Sequence, residues 1–197
     1  MIEAGFVAEN PQAGVRAVVL KTQNETQGNG FQIEYFYRAH SGQDLPAHFH
    51  MWWEEKFEIL AGSCTYVLDG KEYLAQAGDT ITLPARKSHI HPWNTGDEEL
   101  HMIQTDTFEH SSPEAVIDTL NTIATQYGLA RDGKVGLDGK PNPLQLAVSM
   151  QTLLKHGGYL AGLPPVAQRV IFGLLGGIGH AFGYRSSYPE HLDSVRS

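Results

Sequence analysis

The sequence predicts a mainly β fold, an antiparallel sandwich or barrel, followed by an α-helical C-terminal extension. Short strand-like runs fill the first 110 residues, glycine and proline interrupt them, and no helical period occurs there. After residue 110 the apolar residues recur at helical spacing instead. We therefore expect residues 1–110 to form a β-barrel domain and residues 111–197 to form a helical extension.

The strand-like runs can be followed in order along the first half of the chain. Residues 15–22 and 31–38 are rich in β-branched and aromatic residues, and a polar run with two glycines joins them. Residues 64–75 contain Asp69-Gly70, which is a strong signal for a two-residue hairpin. The remaining strand-like runs lie at 80–84, 89–93 and 99–108.

Three helices are expected after the strands. The first, at 113–127, has Ser112 as its N-cap, proline at its first position and Gly128 as its stop. The second runs over 143–156, and the third, over 164–184, is apolar almost all round. The helical period therefore continues nearly to the end of the chain.

The third predicted helix has the composition of a membrane element but not the length. The 15 residues between Arg169 and Arg185 carry no formal charge, which is fewer than the ~20 needed to span a bilayer. We therefore expect burial against the barrel, or against a second subunit in a homodimer, with interfacial membrane contact as the alternative.

The charge, the cysteine content and the first residues of the chain bear on its partners, its disulfides and its location. The formal net charge is −8, and residues 1–110 contain 7 Lys and Arg against 16 Asp and Glu, so a nucleic-acid partner is not expected. A single cysteine, Cys64, excludes an internal disulfide. The first ten residues lack the basic and apolar regions of a signal peptide, which predicts a cytoplasmic location.

Histidines in two of the strand-like runs predict a metal site. His48 and His50 are separated by one residue, so both imidazoles point to the same face of an extended strand. Glu55 follows shortly after them, and His89 lies on another strand-like run. Three imidazole nitrogens and one carboxylate oxygen suit a divalent transition metal such as Fe, Mn, Ni, Cu or Zn.

The first of these two segments resembles half of the paired signature of the cupin family. That half reads Gly, five residues, His-x-His, three or four residues, Glu, six residues, Gly. The residues that match it at every spacing are Gly42, His48, His50, Glu55 and Gly62.

The second segment resembles the other half, which reads Gly, five residues, Pro-x-Gly, two residues, His, three residues, Asn. Gly78, Pro84 and His89 match it. Arg86 stands where the family has glycine, and Asn94 falls one residue late. Neither departure removes a metal ligand.

The resemblance covers roughly residues 30–108 and implies a jelly-roll barrel. It also implies His48, His50, Glu55 and His89 as ligands of one metal ion. Cupins include dioxygenases, isomerases, epimerases, decarboxylases and non-catalytic binding modules, so the fold does not settle the function.

Four residues beside the predicted ligands are candidates for the pocket. On the strand of His89, His91 and Trp93 share its face unless Pro92 introduces a bulge. His91 is the candidate general base or a hydrogen-bond partner of a metal ligand, with a structural histidine as the alternative. Trp52 and Trp53 are candidate walls for an apolar substrate, with rim packing as the alternative.

We therefore expect a metal-dependent enzyme acting on a small apolar or aromatic substrate, in the form of an Fe(II)-type dioxygenase. The alternative is a metal-containing module that binds or senses a small molecule without turnover. A sugar phosphate would call for a cluster of Lys or Arg near the metal, and Arg86 alone is weak support for an anion.

Overall fold

The computed structural model describes residues 2–42, 45–136 and 139–193. In these ranges two antiparallel β-sheets face each other, and helices follow them in the chain. The strands of the first sheet are β1 (Val7–Asn10), β2 (Val15–Lys21), β3 (Gly30–Tyr37), β5 (Trp53–Ala61), β8 (Thr80–Leu83) and β10 (Leu100–Phe108). Those of the second are β4 (His48–His50), β6 (Ser63–Leu68), β7 (Lys71–Gln76), β9 (His89–Asn94) and β11 (Gly158–Leu160).

The two sheets remain separate. The strand order is β1-β2-β3-β10-β5-β8 in the first sheet and β11-β4-β9-β6-β7 in the second, and no ladder joins the two sheets among the described strands. The expected antiparallel β fold is therefore confirmed in its sandwich form, and the jelly-roll barrel that the resemblance implies is not closed in the described strands. The chain passes from β5 to β6 through a sharp corner at Gly62, whose φ of 77° is accessible mainly to glycine, so a loop joins the sheets there.

The Asp69-Gly70 hairpin predicted from the sequence is confirmed. Both residues have positive φ, 50° and 75°, as a type I′ turn requires. The flanking Leu68 and Lys71 are paired across β6 and β7.

The core lies between the sheets, where alternate side chains of each strand point inward. Phe57 and Met102 are fully buried there, and Cys64 of the second sheet belongs to the same apolar cluster. Burying each large side chain contributes about 1.5–3 kcal/mol relative to leaving it exposed.

The first predicted helix is confirmed but is longer than expected. A short helix α1 (Gln23–Thr26) precedes it, and α2 spans Pro113–Arg131 with the Ser112 hydroxyl accepting from the backbone of Ala115. The predicted stop at Gly128 is wrong because the helix continues through it. The missing side chain of Gly128 leaves room for the ring of His191, which lies in a final 3-10 turn (Pro189–His191).

The second and third predicted helices are also present. They are α3 (Pro143–Lys155), capped by the Asn142 side chain, and α4 (Pro165–Ala181). The helix α4 packs mainly on α3. Among the described residues, no helix combines the length and the apolar character needed to cross a bilayer.

The packing of α4 differs from the expected burial against the sheets. Only Gln168, Phe172, Gly176 and Gly179 of this helix are buried. Because α3 takes the single buried face of α4, most of its large apolar side chains remain exposed.

The helical segment also returns one strand to the second sheet. Between α3 and α4, β11 pairs with β4, so that Gly158 lies opposite His50 and Leu160 opposite His48. The division of the chain into residues 1–110 and 111–197 stays a prediction.

Candidate metal centre

Five side chains from both sheets meet at one point between them. His48 and His50 project from β4, and His89 and His91 project from the neighbouring β9. His48 pairs directly with His89, which brings the two histidine pairs side by side. Glu55 faces them from β5 of the first sheet.

The Glu55 carboxylate is the centre of this cluster. Its Oε2 lies 2.7 Å from Nε2 of His91 and 3.1 Å from Nε2 of His89. Its Oε1 lies 3.6 Å from Nδ1 of His50. Since Glu55 is only 2% exposed, these side chains take the place of water around the carboxylate.

Backbone carbonyls fix the tautomers of two of the histidines. Nδ1–H of His48 donates to the carbonyl of Pro46 at 2.8 Å, and Nδ1–H of His89 donates to the carbonyl of Lys87 at 2.9 Å. In the neutral ring this leaves the lone pair on Nε2, the arrangement that metal-binding histidines adopt.

Two buried ring nitrogens of the cluster histidines have no hydrogen-bond partner. They are Nε2 of His89 and Nδ1 of His50, and both lie beside the carboxylate of Glu55. Because Nδ1–H of His89 donates to a carbonyl, the lone pair of its neutral ring lies on Nε2 and faces the anion, which is unfavourable unless a cation lies between them. The residues present therefore fit a bound metal ion.

The structure assembles a slightly different group from the predicted one. One ligating atom from each of His48, Glu55, His89 and His91 can be chosen so that all lie within 4.8 Å of one another. His50, a predicted ligand, lies beside this group with its ring stacked 4.0 Å from that of Trp53. The ligand role of His50 and the catalytic role of His91 stay predictions.

Two polar residues of the site were missed by the sequence analysis. Nε2 of Gln104 donates to Oδ1 of Asp106 at 2.7 Å and lies 3.3 Å from Oε1 of Glu55. Asp106 is also the cross-strand partner of Glu55. The sequence could have indicated them, because alternate residues of β10 point inward and Gln104 and Asp106 are polar residues among these otherwise apolar positions.

Burial lowers the pKa of the two histidines on β4. The pKa of His50 falls to about 3, because burial outweighs the attraction of Glu55. Burial and the neighbouring imidazoles hold the pKa of His48 well below its usual value. Both rings are therefore neutral near pH 7, which is the form that binds a metal.

The two buried carboxyl groups shift in opposite directions. Burial acts to raise the pKa of Glu55, but attraction to His91 and His50, together with the hydrogen bond from His91, holds it well below its usual value. Burial, followed by repulsion from Glu55, raises the pKa of Asp106 well above its usual value. The site thus favours the anionic form of Glu55, and burial beside Glu55 disfavours ionisation of Asp106.

Of the three predicted pocket tryptophans, Trp53 lies at the cluster. It is 2% exposed and stacks between His50 and Phe108. Trp52 is 47% exposed, and the guanidinium of Arg86 lies 5.6 Å from its ring centre. Trp52 therefore fits the alternative of packing at the rim.

Trp93 does not share the face of His89. The ladder between β6 and β9 shifts register between Thr65 and Val67, which adds one residue to β9 after Ile90. This bulge turns Trp93 toward a surface cleft of about 490 Å³. None of the cluster histidines lines that cleft.

The turn before β9 keeps its left-handed shape without glycine. Arg86 has φ 66°, and its backbone N–H donates to the carbonyl of His50 at 2.6 Å. Its guanidinium pairs with Glu109 at 3.0 Å. Although Arg86 stands where the family has glycine, the turn beside the cluster is therefore still formed.

Part of the two-sheet region matches a known protein family. Residues 35–106 match the family model described as the cupin domain. No curated protein matches the chain.

Several solved structures resemble about half of the chain. One is a predicted oxalate decarboxylase from Thermotoga maritima, at 22% identity over 48% of this chain and 80% of that one, with a TM-score of 0.43. A sugar phosphate isomerase from Silicibacter pomeroyi is 17% identical over 54% and 71%, with a TM-score of 0.43. A cupin-like protein from Thermotoga maritima is 19% identical over 55% and 80%, with a TM-score of 0.41.

Proposed function

We propose that this chain, whose residues 35–106 match the cupin domain, is a metal-dependent enzyme that oxygenates a small apolar or aromatic molecule as a dioxygenase. The observation that carries the metal dependence is the pair of unpartnered, buried ring nitrogens beside Glu55. A divalent transition metal bound there supplies Lewis acidity and, if it is redox-active, electrons for dioxygen chemistry.

The proposed ligands are His48, His50, Glu55 and His89. His89 and His50 offer the unpartnered nitrogens, and Nε2 of His48 is free because its Nδ1–H is bound to a carbonyl. This set of neutral imidazoles and one carboxylate suits Fe, Mn, Ni or Zn.

In this proposal His91 is the general base that accepts a proton from the substrate. Its Nε2 lies 2.7 Å from Oε2 of Glu55, so this nitrogen already has a partner, unlike the two unpartnered ones. The His91 side chain is 14% exposed, against 1% for His89. His91 can thus accept a proton from a substrate on the accessible side while Glu55 holds its ring in place.

The surroundings of the site favour an uncharged or aromatic substrate over a phosphorylated one. The two cations that precede His89 in sequence are paired elsewhere: Arg86 with Glu109 at 3.0 Å and Lys87 with Asp69 at 2.6 Å. The rings beside the cluster are those of Trp53, Phe57 and Phe108.

The burial of the site favours a second candidate function, a metal-containing module that binds or senses a small molecule without turnover. Glu55 and His89 are 2% and 1% exposed, and Gln104 contacts the carboxylate from its remaining side. A site enclosed in this way retains an ion well, and of the five clustered side chains only His48 and His91 are partly exposed to an incoming molecule.

Oxygen uptake distinguishes the two functions. The full chain is purified without oxygen, its metal content is measured, and catechols, flavonols and diketones are screened for oxygen consumption. We expect uptake with at least one class, its loss in His89→Ala, and its retention in His101→Ala, a histidine that contacts Glu34 on the first sheet. Stoichiometric metal without uptake on any of the three would contradict the dioxygenase and favour the binding module.

A further inference from the structure

The exposed side of α4 carries a continuous apolar stripe. Its members follow one another at intervals of four residues, so they lie along one ridge of the helix. They are Val166 (72% exposed), Val170 (57%), Leu174 (68%), Ile178 (47%) and Phe182 (75%). We call this set the α4 stripe. Ile171 and Leu175 widen it on one side, at 40% and 38% exposure.

The size of this surface matches one half of a protein interface. At these exposures the α4 stripe and its two flanking residues present on the order of 800 Å² of apolar area, which is what each partner buries in a standard interface (roughly 800 Å²). The largest apolar patch on a typical monomer is only about 300–600 Å². Covering the α4 stripe thus needs a partner of protein size.

Two glycines beside the stripe have no packing role within the described part of the chain. A Cβ atom built on Gly173 or Gly177 meets nothing within 4 Å. By contrast, a Cβ on Gly176 would meet Gln151, and one on Gly179 would meet Val148. Because glycine destabilises the interior of a helix, open glycines next to an apolar ridge point to the close approach of a second helix.

The stripe is also arranged symmetrically. Leu174 is its middle member, with two apolar residues spaced at four and eight positions on either side. A two-fold interface requires one patch that complements itself, and an uncharged ridge centred on one residue meets this condition without burying any charge. The two open glycines lie within one turn of that centre.

Charge argues against a lipid surface as the occupant. Interfacial helices carry Lys and Arg along their polar face. The only Lys or Arg in α4 is Arg169, whose guanidinium donates to the hydroxyl of Tyr159 at 2.6 Å. Residues 111–197 carry 7 Lys and Arg against 6 Asp and Glu, so this half of the chain lacks the strong positive charge that attracts such helices to anionic lipid.

We propose that two copies of this chain form a two-fold symmetric dimer through the α4 stripe, with Leu174 close to the symmetry axis. The metal centre is not part of this interface. The inference is therefore independent of the proposed function.

Sedimentation equilibrium of the full chain tests the proposal with two matched substitutions. Leu174→Glu places a charge at the centre of the α4 stripe, and Leu74→Glu makes the same change at a residue that is 79% exposed on β7, an edge strand. We expect a dimer for the parent chain and for Leu74→Glu, and at least a 100-fold weaker dimer for Leu174→Glu. A monomeric parent chain, or a dimer broken by Leu74→Glu alone, would overturn the proposal.

Two further variants separate loss of the interface from loss of folding. Gly177→Leu has open space in the monomer, so we expect an unchanged helical circular dichroism signal and a dimer weakened at least 10-fold. Leu174→Cys is expected to cross-link to its copy with a short bis-maleimide, whereas Leu74→Cys is not, and the native Cys64 is buried. An unweakened Gly177→Leu dimer, or a failure of Leu174→Cys to cross-link, would contradict the α4 interface. So would a monomer that floats with vesicles of phosphatidylcholine and phosphatidylglycerol.

Discussion

The metal centre and the exposed side of α4 differ in which kind of side chain is buried. At the metal centre, polar groups that ordinarily face water are enclosed, with Glu55 2% exposed and His89 1% exposed. On α4, apolar groups that ordinarily avoid water are left open, with Leu174 68% exposed. Each region is unfavourable for the isolated chain, and each becomes favourable with an added component, a cation in one case and a second copy in the other.

The largest difference in unfolding free energy is expected between truncation of a core residue and truncation of a residue of the α4 stripe. Phe57 is fully buried between the sheets, so Phe57→Ala should lower the free energy of unfolding by about 3–5 kcal/mol. Leu174→Ala, in samples dilute enough to be monomeric, should change it by no more than about 0.5 kcal/mol. Urea unfolding of both variants measures the difference. Equal losses would mean that α4 is covered within the monomer.

The metal-free centre should also make stability depend on pH. His50 has a folded pKa of about 3 against 6.5 for an ordinary histidine, so the unfolded chain binds the extra proton between these values. The contribution of His50 to the free energy of unfolding is fully present above pH 6.5. It decreases by on the order of 4 kcal/mol as the pH falls toward 3. Urea unfolding in the presence of a chelator, from pH 7 to pH 4, measures the slope.

Matched substitutions assign that slope to His50. His50→Gln should reduce the slope to the share contributed by His48, whose pKa is also lowered, whereas His101→Gln, at a partly exposed histidine, should leave the slope as in the parent chain. An unchanged slope in His50→Gln would show that this ring does not titrate as its burial implies.

A smaller effect is expected at Gln104, whose amide contacts both buried carboxyl groups of the site. Gln104→Leu should weaken metal binding by about 10–100-fold, because residues that orient a ligand have effects of this size. Its control is Gln32→Leu on β3, whose amide contacts Thr105. Isothermal titration with Mn²⁺ compares the two, and equal dissociation constants in both variants would remove Gln104 from the site.

The smallest expected effect concerns two glycines of α4. Gly177→Ala should stabilise the monomer by about 1 kcal/mol, since the added methyl group meets nothing and alanine favours the helix. Gly179→Ala should destabilise it, because the new Cβ would lie 2.7 Å from a methyl carbon of Val148. Thermal unfolding of dilute samples gives the sign of each change. The same sign in both would mean that α4 does not sit on α3 as described.

Local patterns were sufficient to predict most of the elements. The hairpin at Asp69-Gly70 and the helix capped by Ser112 depend on a few adjacent residues, so the sequence indicates them directly. The spacing of His48 and His50 likewise places both rings on one face of β4, and the structure brings them to His89 and Glu55.

Features that depend on pairing between distant strands were not predictable in the same way. The separation of the sheets depends on which distant strands pair, and the outward turn of Trp93 follows from a bulge against β6. Gln104 and Asp106 join the site only because β10 pairs with β5. The exposure of α4 depends on which neighbour covers it, which a single helix period does not specify.

A metal ion is expected to bind beside Glu55, and elemental analysis of the full chain measures this binding without a substrate. The parent chain and the His101→Ala control should each carry close to one transition-metal ion per chain. The double variant His48→Ala, His50→Ala should remain folded by circular dichroism and carry none. Undiminished metal in the folded double variant would contradict the account.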